Sequence, residues 1–156
     1  MAISRVRVAR DKAELVQGLL EGKDTTGPFQ TYADVMVFAA VLGAKWKKRL
    51  PVEKSSNTEP GPIALDIFIS RGYEPIIKIL AIAETHDLKI LSPYNREAEE
   101  TRIQIFEEYA NGGLLILQEE LRGAVDYTER ILLMLSDERF HKETDSVEEF
   151  DLSRFL

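Results

Sequence analysis

The chain has 156 residues, of which 44% are hydrophobic and 30% charged, the composition of a globular domain rather than of a disordered or fibrous chain. It contains no cysteine, which excludes a disulfide framework, a thiolate zinc site, an iron–sulfur cluster and a cysteine nucleophile. Its two histidines are too few for a histidine-rich metal site. No apolar stretch approaches the roughly 18 residues of a membrane helix, and the amino terminus lacks a signal-peptide core, so we expect a cytoplasmic protein without membrane contact.

The formal net charge of −7 is unevenly distributed along the chain. Residues 1–54 hold ten Lys/Arg and six Asp/Glu, whereas residues 55–156 hold ten and twenty-one, so the first stretch is cationic and the second strongly anionic. The cations of the first stretch form two groups, one within residues 5–10 and one within residues 45–49. If the two groups meet in space, they form a local anion-binding face on an otherwise acidic molecule.

The amino-terminal residues alternate in polarity. Residues 3–9 have the period-two pattern of a half-buried strand, with Val6 and Val8 on one face and Arg5 and Arg7 on the other. We therefore predict a short N-terminal β-strand whose arginines face outward.

Helical periodicity follows the strand. Asp11 begins a capping-box pattern that predicts a helix over 12–21. Residues 23–30 contain Gly and Pro and predict a loop, after which Thr31 is placed to cap a helix that ends at Gly43.

The rest of the chain also predicts helices. Residues 51–62 are rich in Pro, Ser and Gly and predict a hinge. Beyond it we expect a helix or short strand over 63–70, a central buried helix over 74–85, a charged helix over 95–110 interrupted at 111–113, and further helices over 114–121 and 127–136. The predicted fold is mainly α, with one multi-helix domain over 1–136. This domain comprises a basic segment over 1–50, the hinge over 51–62 and a helical segment over 63–136. An acidic tail over 137–156 follows, which either docks a partner or packs on its own domain.

Three groups of side chains are candidates for chemistry. Glu100, Glu107 and Glu108 are residue types that serve acid–base or metal chemistry, but their spacing fits the solvent face of an amphipathic helix equally well, and we favour that interpretation. His86 near a helix carboxyl end is expected to act on the helix dipole. The serines lack a nucleophile elbow and the glycines lack phosphate-loop spacing. We therefore predict no catalytic residue, no metal and no cofactor, and hence not an enzyme.

The order strand, helix, loop, helix over residues 3–43 is similar to the ribbon–helix–helix arrangement, in which two chains pair their strands in the major groove of DNA. Arginines on such a strand read bases, and the amino end of the second helix binds a phosphate. The alternatives are an edge strand that uses exposed arginine to stay soluble and a solvated charge run at 45–49. The predicted DNA-binding residues are Arg5, Arg7, Arg10, Thr31, Lys45, Lys47, Lys48 and Arg49.

Three stretches carry a family resemblance: residues 27–43, the basic segment up to Pro51, and residues 105–114 with the phrase Phe-Glu-Glu-Tyr-Ala-Asn-Gly-Gly. Together they resemble the DNA phosphorothioation (dnd) system-associated protein 4 family from Val8 to Leu135, with the tail outside. The resemblance implies a bacterial gene neighbourhood that replaces a non-bridging phosphate oxygen of DNA by sulfur and restricts unmarked DNA. It supplies no catalytic residue.

Our leading hypothesis from the sequence is a non-enzymatic accessory protein of this modification and restriction system, which binds DNA through its basic amino-terminal segment as a homodimer. The alternative is a protein–protein adaptor for modification or restriction subunits that does not touch DNA. A carboxylate-dependent metal enzyme requires the three glutamates named above to converge in a cleft.

Overall fold

A computed structural model describes residues 4–137, and within this range the protein is mainly α-helical with one two-stranded antiparallel sheet. The elements are β1 (Arg5–Val6), α1 (Ala13–Gly18), α2 (Tyr32–Lys45), β2 (Ile63–Ala64), α3 (Leu65–Ser70), α4 (Glu74–Thr85), α5 (Arg96–Glu120) and α6, which is helical over 127–137, with 3-10 turns at Arg10–Lys12 and Leu88–Leu91. The predicted fold class is thus confirmed. No helix within 4–137 is both long and apolar enough to cross a membrane.

The longest helix, α5, is continuous where the sequence predicted an interruption. It runs over 25 residues, about 38 Å, from the N-cap Asn95 through Gly112 and Gly113. A Cβ atom added to Gly113 would lie 1.7 Å from the carbonyl oxygen of Ala39, and one added to Gly43 would lie 2.1 Å from that of Tyr109. These glycines therefore let α2 and α5 cross with their backbones nearly in contact, which offsets the roughly 1 kcal/mol that glycine costs within a helix.

The amino-terminal segment is extended as predicted, with Val6 and Val8 fully buried. Its partner lies in the same chain, because Arg5 pairs with Ala64 in the antiparallel register of β1 and β2. Further along, Arg10 N–H donates to the Lys54 carbonyl at 2.9 Å, so a residue just after the start of the predicted hinge is held against the amino-terminal segment.

The other edge of this segment is occupied too. The backbone N–H of Arg7 donates to Oε2 of Glu107 on α5, at 2.8 Å. In this respect the structure differs from the ribbon–helix–helix arrangement, because β1 pairs within its own chain and a side chain of α5 covers the edge at Arg7. The difference arises because β1 is only two residues long and packs against α5. The strand–helix–helix pattern of residues 3–43 does not include that helix.

The two predicted helix caps had different outcomes. Thr31 caps α2 as predicted: its hydroxyl accepts from Asp34 N–H, and the Asp34 carboxylate accepts from Thr31 N–H, both at 3.2 Å. The capping box at Asp11 is not formed, because that carboxylate lies 3.0 Å from Nζ of Lys12 and the chain first makes a 3-10 turn.

Helix α4 was predicted to be central because it is apolar nearly all round, and this prediction was wrong. One face packs on α5 and buries Ile77, Leu80 and Ala81. Ile79, on the opposite face, is 63% exposed. The segment before α4 resolves the alternatives for 63–70 by forming both, a short strand and then a helix.

Replacing Gly113 by alanine should destabilise the protein by about 1–3 kcal/mol or more, because the added methyl group meets the backbone of α2 rather than a movable side chain. The free energy of unfolding from urea denaturation measures the effect. Gly61→Ala is the matched control, since the nearest atom to its added Cβ is 3.9 Å away, and we expect it to be neutral or slightly stabilising. Equal stability of the two variants would refute the close crossing of α2 and α5.

Candidate functional site

Both basic segments of the sequence converge on one stretch of α5, residues 106–113, which we call the α5 anchor. Its acidic and amide side chains bind the segment that precedes α1 and the segment that follows α2. The anchor coincides with one part of the resemblance noted above, the phrase from Phe106 to Gly113.

The first contact joins Arg7 to Glu107. Nη2 of Arg7 lies 2.6 Å from Oε1 of Glu107 and Nε lies 3.0 Å from the same oxygen, while the carboxylate is only 3% exposed. The hydrogen bond from Arg7 to this carboxylate raises the pKa of Arg7 against the opposing effect of burial. The guanidinium of Arg7 is therefore paired within the molecule, although its side chain is 47% exposed.

The second contact is a network around Arg49. Its guanidinium lies 2.8 Å from Glu84 on α4 and 3.3 Å from Glu108 on the anchor. Burial lowers the pKa of Arg49, but the hydrogen bonds and charges of these two carboxylates raise it overall. Tyr109 also donates its hydroxyl to Glu84, which lowers the pKa of that carboxyl, and burial together with this bond raises the pKa of Tyr109 to about 12. The network thus ties α4, α5 and the basic segment together.

The third contact is made by Asn111. Its side-chain amide donates to the carbonyls of Leu50 and Pro51 at 3.3 and 3.2 Å, and its Oδ1 accepts from Nζ of Lys12 at 3.4 Å. One residue further on, a Cβ added to Gly112 would lie 1.9 Å from the carbonyl oxygen of Lys48. The backbone of residues 48–51 therefore lies directly across α5.

The structure fastens both predicted DNA-binding segments to α5, and two of the predicted residues are neutralised there. Arg7 and Arg49 are ion-paired, as described above. Lys45 lies beside the ring of Trp46 at the carboxyl end of α2. For the side chains of Arg5, Arg10, Lys47 and Lys48, the described stretch of the chain supplies no acidic partner within ion-pair distance.

Thr31 lies apart from this group. It caps the amino end of α2, about 20 Å from the carboxyl end that carries Lys45. The adjacent Asp34 accepts hydrogen bonds from Tyr73 and Arg71. Burial raises the pKa of Asp34, but the bonds from Tyr73, Arg71 and Thr31 lower it overall, so a carboxylate already occupies this helix end. An anionic ligand there would meet that negative charge.

The carboxylates differ from the sequence interpretation. Glu107 and Glu108 were placed on the solvent face of their helix, which was wrong, because both are buried. They bind different arginines, and Glu100 pairs with Arg96. Across residues 4–137, no group of three acidic or histidine side chains is arranged to hold a metal ion.

Two features of the site have no signal in the local sequence. Lys12 and Asn111 form a buried contact although 99 residues separate them, and no local pattern signals it. The burial of Glu107 likewise depends on a partner 100 residues away.

His86 lies near the carboxyl end of its helix, as expected. It is the left-handed residue that ends α4, with φ of 54°.

These observations define a mainly α-helical protein whose two basic segments are fastened to its longest helix. The chain matches the family described as DNA sulphur modification system-associated protein 4 over residues 5–155, and it belongs to that family. The match includes the tail that the resemblance had left outside. Residues 138–156, with the proposed docking peptide, lie outside the described residues of the structure. No curated protein and no solved structure shows a significant match.

Arg7→Ala should lower the free energy of unfolding by about 1–3 kcal/mol, because it leaves the buried carboxylate of Glu107 without its cation. Arg5→Ala, two residues away on the same face, should change it by less than about 0.5 kcal/mol, because that exposed side chain has no acidic partner within ion-pair distance in residues 4–137. Chemical denaturation of both variants measures the difference. If the two losses were the same, the ion pair would contribute nothing to stability.

Proposed function

We propose that this protein is a non-catalytic accessory factor that holds protein subunits of the DNA sulphur modification system together, and that the outer face of α4 is its binding surface. Its membership of a family associated with that system supports an accessory role. The observation that carries the proposal is that α4 is apolar on two faces while the described chain covers only one of them.

The outer face of α4 carries an apolar stripe. Ile79 is at its centre and is 63% exposed, and Ile76 and Ile82 beside it are partly exposed. Leu88, in the 3-10 turn beyond the helix end, is also exposed. The ion pair between Lys78 and Glu74 lies to one side of the stripe. Helices that are apolar all round are normally buried, and a contiguous exposed apolar patch on a monomer typically marks a protein interface.

Charge favours a different protein over a second copy as the occupant. Residues 55–156, which carry α4, hold eleven more acidic than basic residues, so two copies that met here would bring like charges together. A subunit with an apolar patch and a basic rim has the complementary chemistry. A homodimer remains a prediction, and the substitution of Ile79 described below also tests it.

Ile79→Glu should abolish co-purification with the proteins encoded beside this chain, since it places a charge at the centre of the stripe, while leaving the thermal unfolding midpoint unchanged. Val125→Glu is the control, because Val125 is 93% exposed and lies outside the stripe. Affinity pull-down measures the co-purification, and light scattering measures the oligomeric state. Undiminished co-purification of the Ile79 variant, or its conversion of a dimer into a monomer, would exclude the adaptor role for this face.

A second candidate function is direct contact with DNA, favoured by the exposed cations that the α5 anchor does not neutralise. These are Arg5, Arg10, Lys47 and Lys54, together with the partly exposed Lys48. Since Arg7 is held by Glu107, the interaction we propose is with backbone phosphates and not with base edges.

Duplex binding of this kind should weaken with salt, the logarithm of the affinity falling with a slope of about 0.9 for each phosphate contact. Arg10→Gln combined with Lys48→Gln should reduce that slope, whereas Lys23→Gln in the loop before α2 should leave it unchanged. Fluorescence anisotropy at several ionic strengths measures the slopes. Absence of duplex binding at low salt would eliminate this candidate and leave the adaptor proposal unaffected.

A further inference from the structure

Lys12 is buried in an unusual setting. Its side chain is 5% exposed, and it ends the 3-10 turn before α1. An ammonium group has three hydrogens to donate, and Nζ has two acceptors within residues 4–137: the carboxylate of Asp11 at 3.0 Å and Oδ1 of Asn111 at 3.4 Å. Asp11 is 74% exposed and therefore compensates a buried cation weakly. One donor of a buried, charged group is thus left for another acceptor.

A cleft of about 550 Å³ opens at this position. Arg10 and Lys54 line it together with Lys12, and the hydrogen bond from Arg10 N–H to the Lys54 carbonyl keeps the two rim residues adjacent. The carboxylates on its lining belong to Asp11, which already binds Lys12, and to Glu53. Three cations against two carboxylates give the cleft a positive balance on an acidic molecule.

The wall of the cleft is held in place before any ligand arrives. Asn111 binds the backbone carbonyls of Leu50 and Pro51, and those two residues supply apolar surface to the lining of the cleft. The volume lies within the range of roughly 300–1,000 Å³ typical of small-molecule sites, and it exceeds what an inorganic anion alone fills. Rigid walls reduce the entropy lost on binding.

We infer that this cleft binds the phosphate group of a nucleotide-sized ligand. The phosphoryl oxygens accept from the spare donor of Lys12 and from the guanidinium of Arg10, whose planar fork matches two oxygens at once. Lys54 adds a second ammonium at the rim, and the apolar wall of Leu50 and Pro51 contacts the organic portion of the ligand. The phosphate can be the monoester of a free nucleotide or a diester of the DNA backbone. The inference is independent of the outer face of α4.

The test uses the full chain with inorganic phosphate, adenosine 5′-monophosphate and a short DNA duplex as probes, followed by amide nuclear magnetic resonance shifts and calorimetry. We expect saturable shifts of the amides of Arg10, Lys12, Lys54 and Asn111 with both small phosphates. Lys12→Met should weaken nucleotide binding at least about tenfold, because it removes a charge-assisted hydrogen bond. Lys23→Met, which removes an equal charge elsewhere, should change the affinity less than about twofold.

Arg10→Gln combined with Lys54→Gln changes only exposed side chains, and it decides the question if the Lys12 variant fails to fold. It should also weaken nucleotide binding while the amide shifts outside the cleft stay as in the parent protein. Displacement of the nucleotide by duplex identifies the DNA backbone as the source of the phosphoryl group, and lack of displacement identifies a free monoester.

No saturable response to either small phosphate, or equal weakening by Lys23→Met, overturns the cleft site. A response to duplex alone that spreads over all the exposed cations also overturns it, while leaving the second candidate function in place. Loss of the cleft site in these ways has no bearing on the co-purification of the Ile79 variant, so the two failures are distinguishable.

Discussion

The close crossing of α2 and α5 is the constraint on which the rest of the structure depends. Because Gly43 and Gly113 have no side chains, the two helix backbones approach nearly to contact, and the chain that leaves α2 is delivered onto α5. The carbonyl of Lys48 then lies against Gly112, and the residues that follow it come within reach of Asn111. A larger residue at the crossing would separate the helices and move the second basic segment away from the α5 anchor.

Electrostatics then sorts the cations of the amino-terminal third into two sets. Arg7 and Arg49 neutralise carboxylates that would otherwise be buried without partners, and so they belong to the framework. Arg5, Arg10, Lys47 and Lys54 have exposed side chains, and those of Arg10 and Lys54 line the cleft. Sequence charge alone treats all of these residues as equivalent, and their difference arises from which of them meet α5.

The two proposed binding surfaces use different chemistry and different regions of the fold. Helix α4 presents an apolar stripe within the acidic stretch of the chain, which suits a protein partner. The cleft beside Asn111 gathers buried and exposed cations, which suits phosphate. Arg49 links the two regions, since it bridges Glu84 on α4 and Glu108 on α5. A factor that contacts both a protein and a phosphorylated ligand fits association with a DNA modification system.

The sequence by itself determined the features that depend on neighbours along the chain: the alternation of β1, the Thr31 cap of α2, the span of α4 and the family phrase within α5. Only the tertiary structure decided that α5 continues through its glycines, that Glu107 is buried and that Ile79 is exposed. The physical reason is distance along the chain. Capping and periodicity act over three or four residues, whereas these outcomes depend on contacts between segments about 25 to 100 residues apart, which leave no local signal.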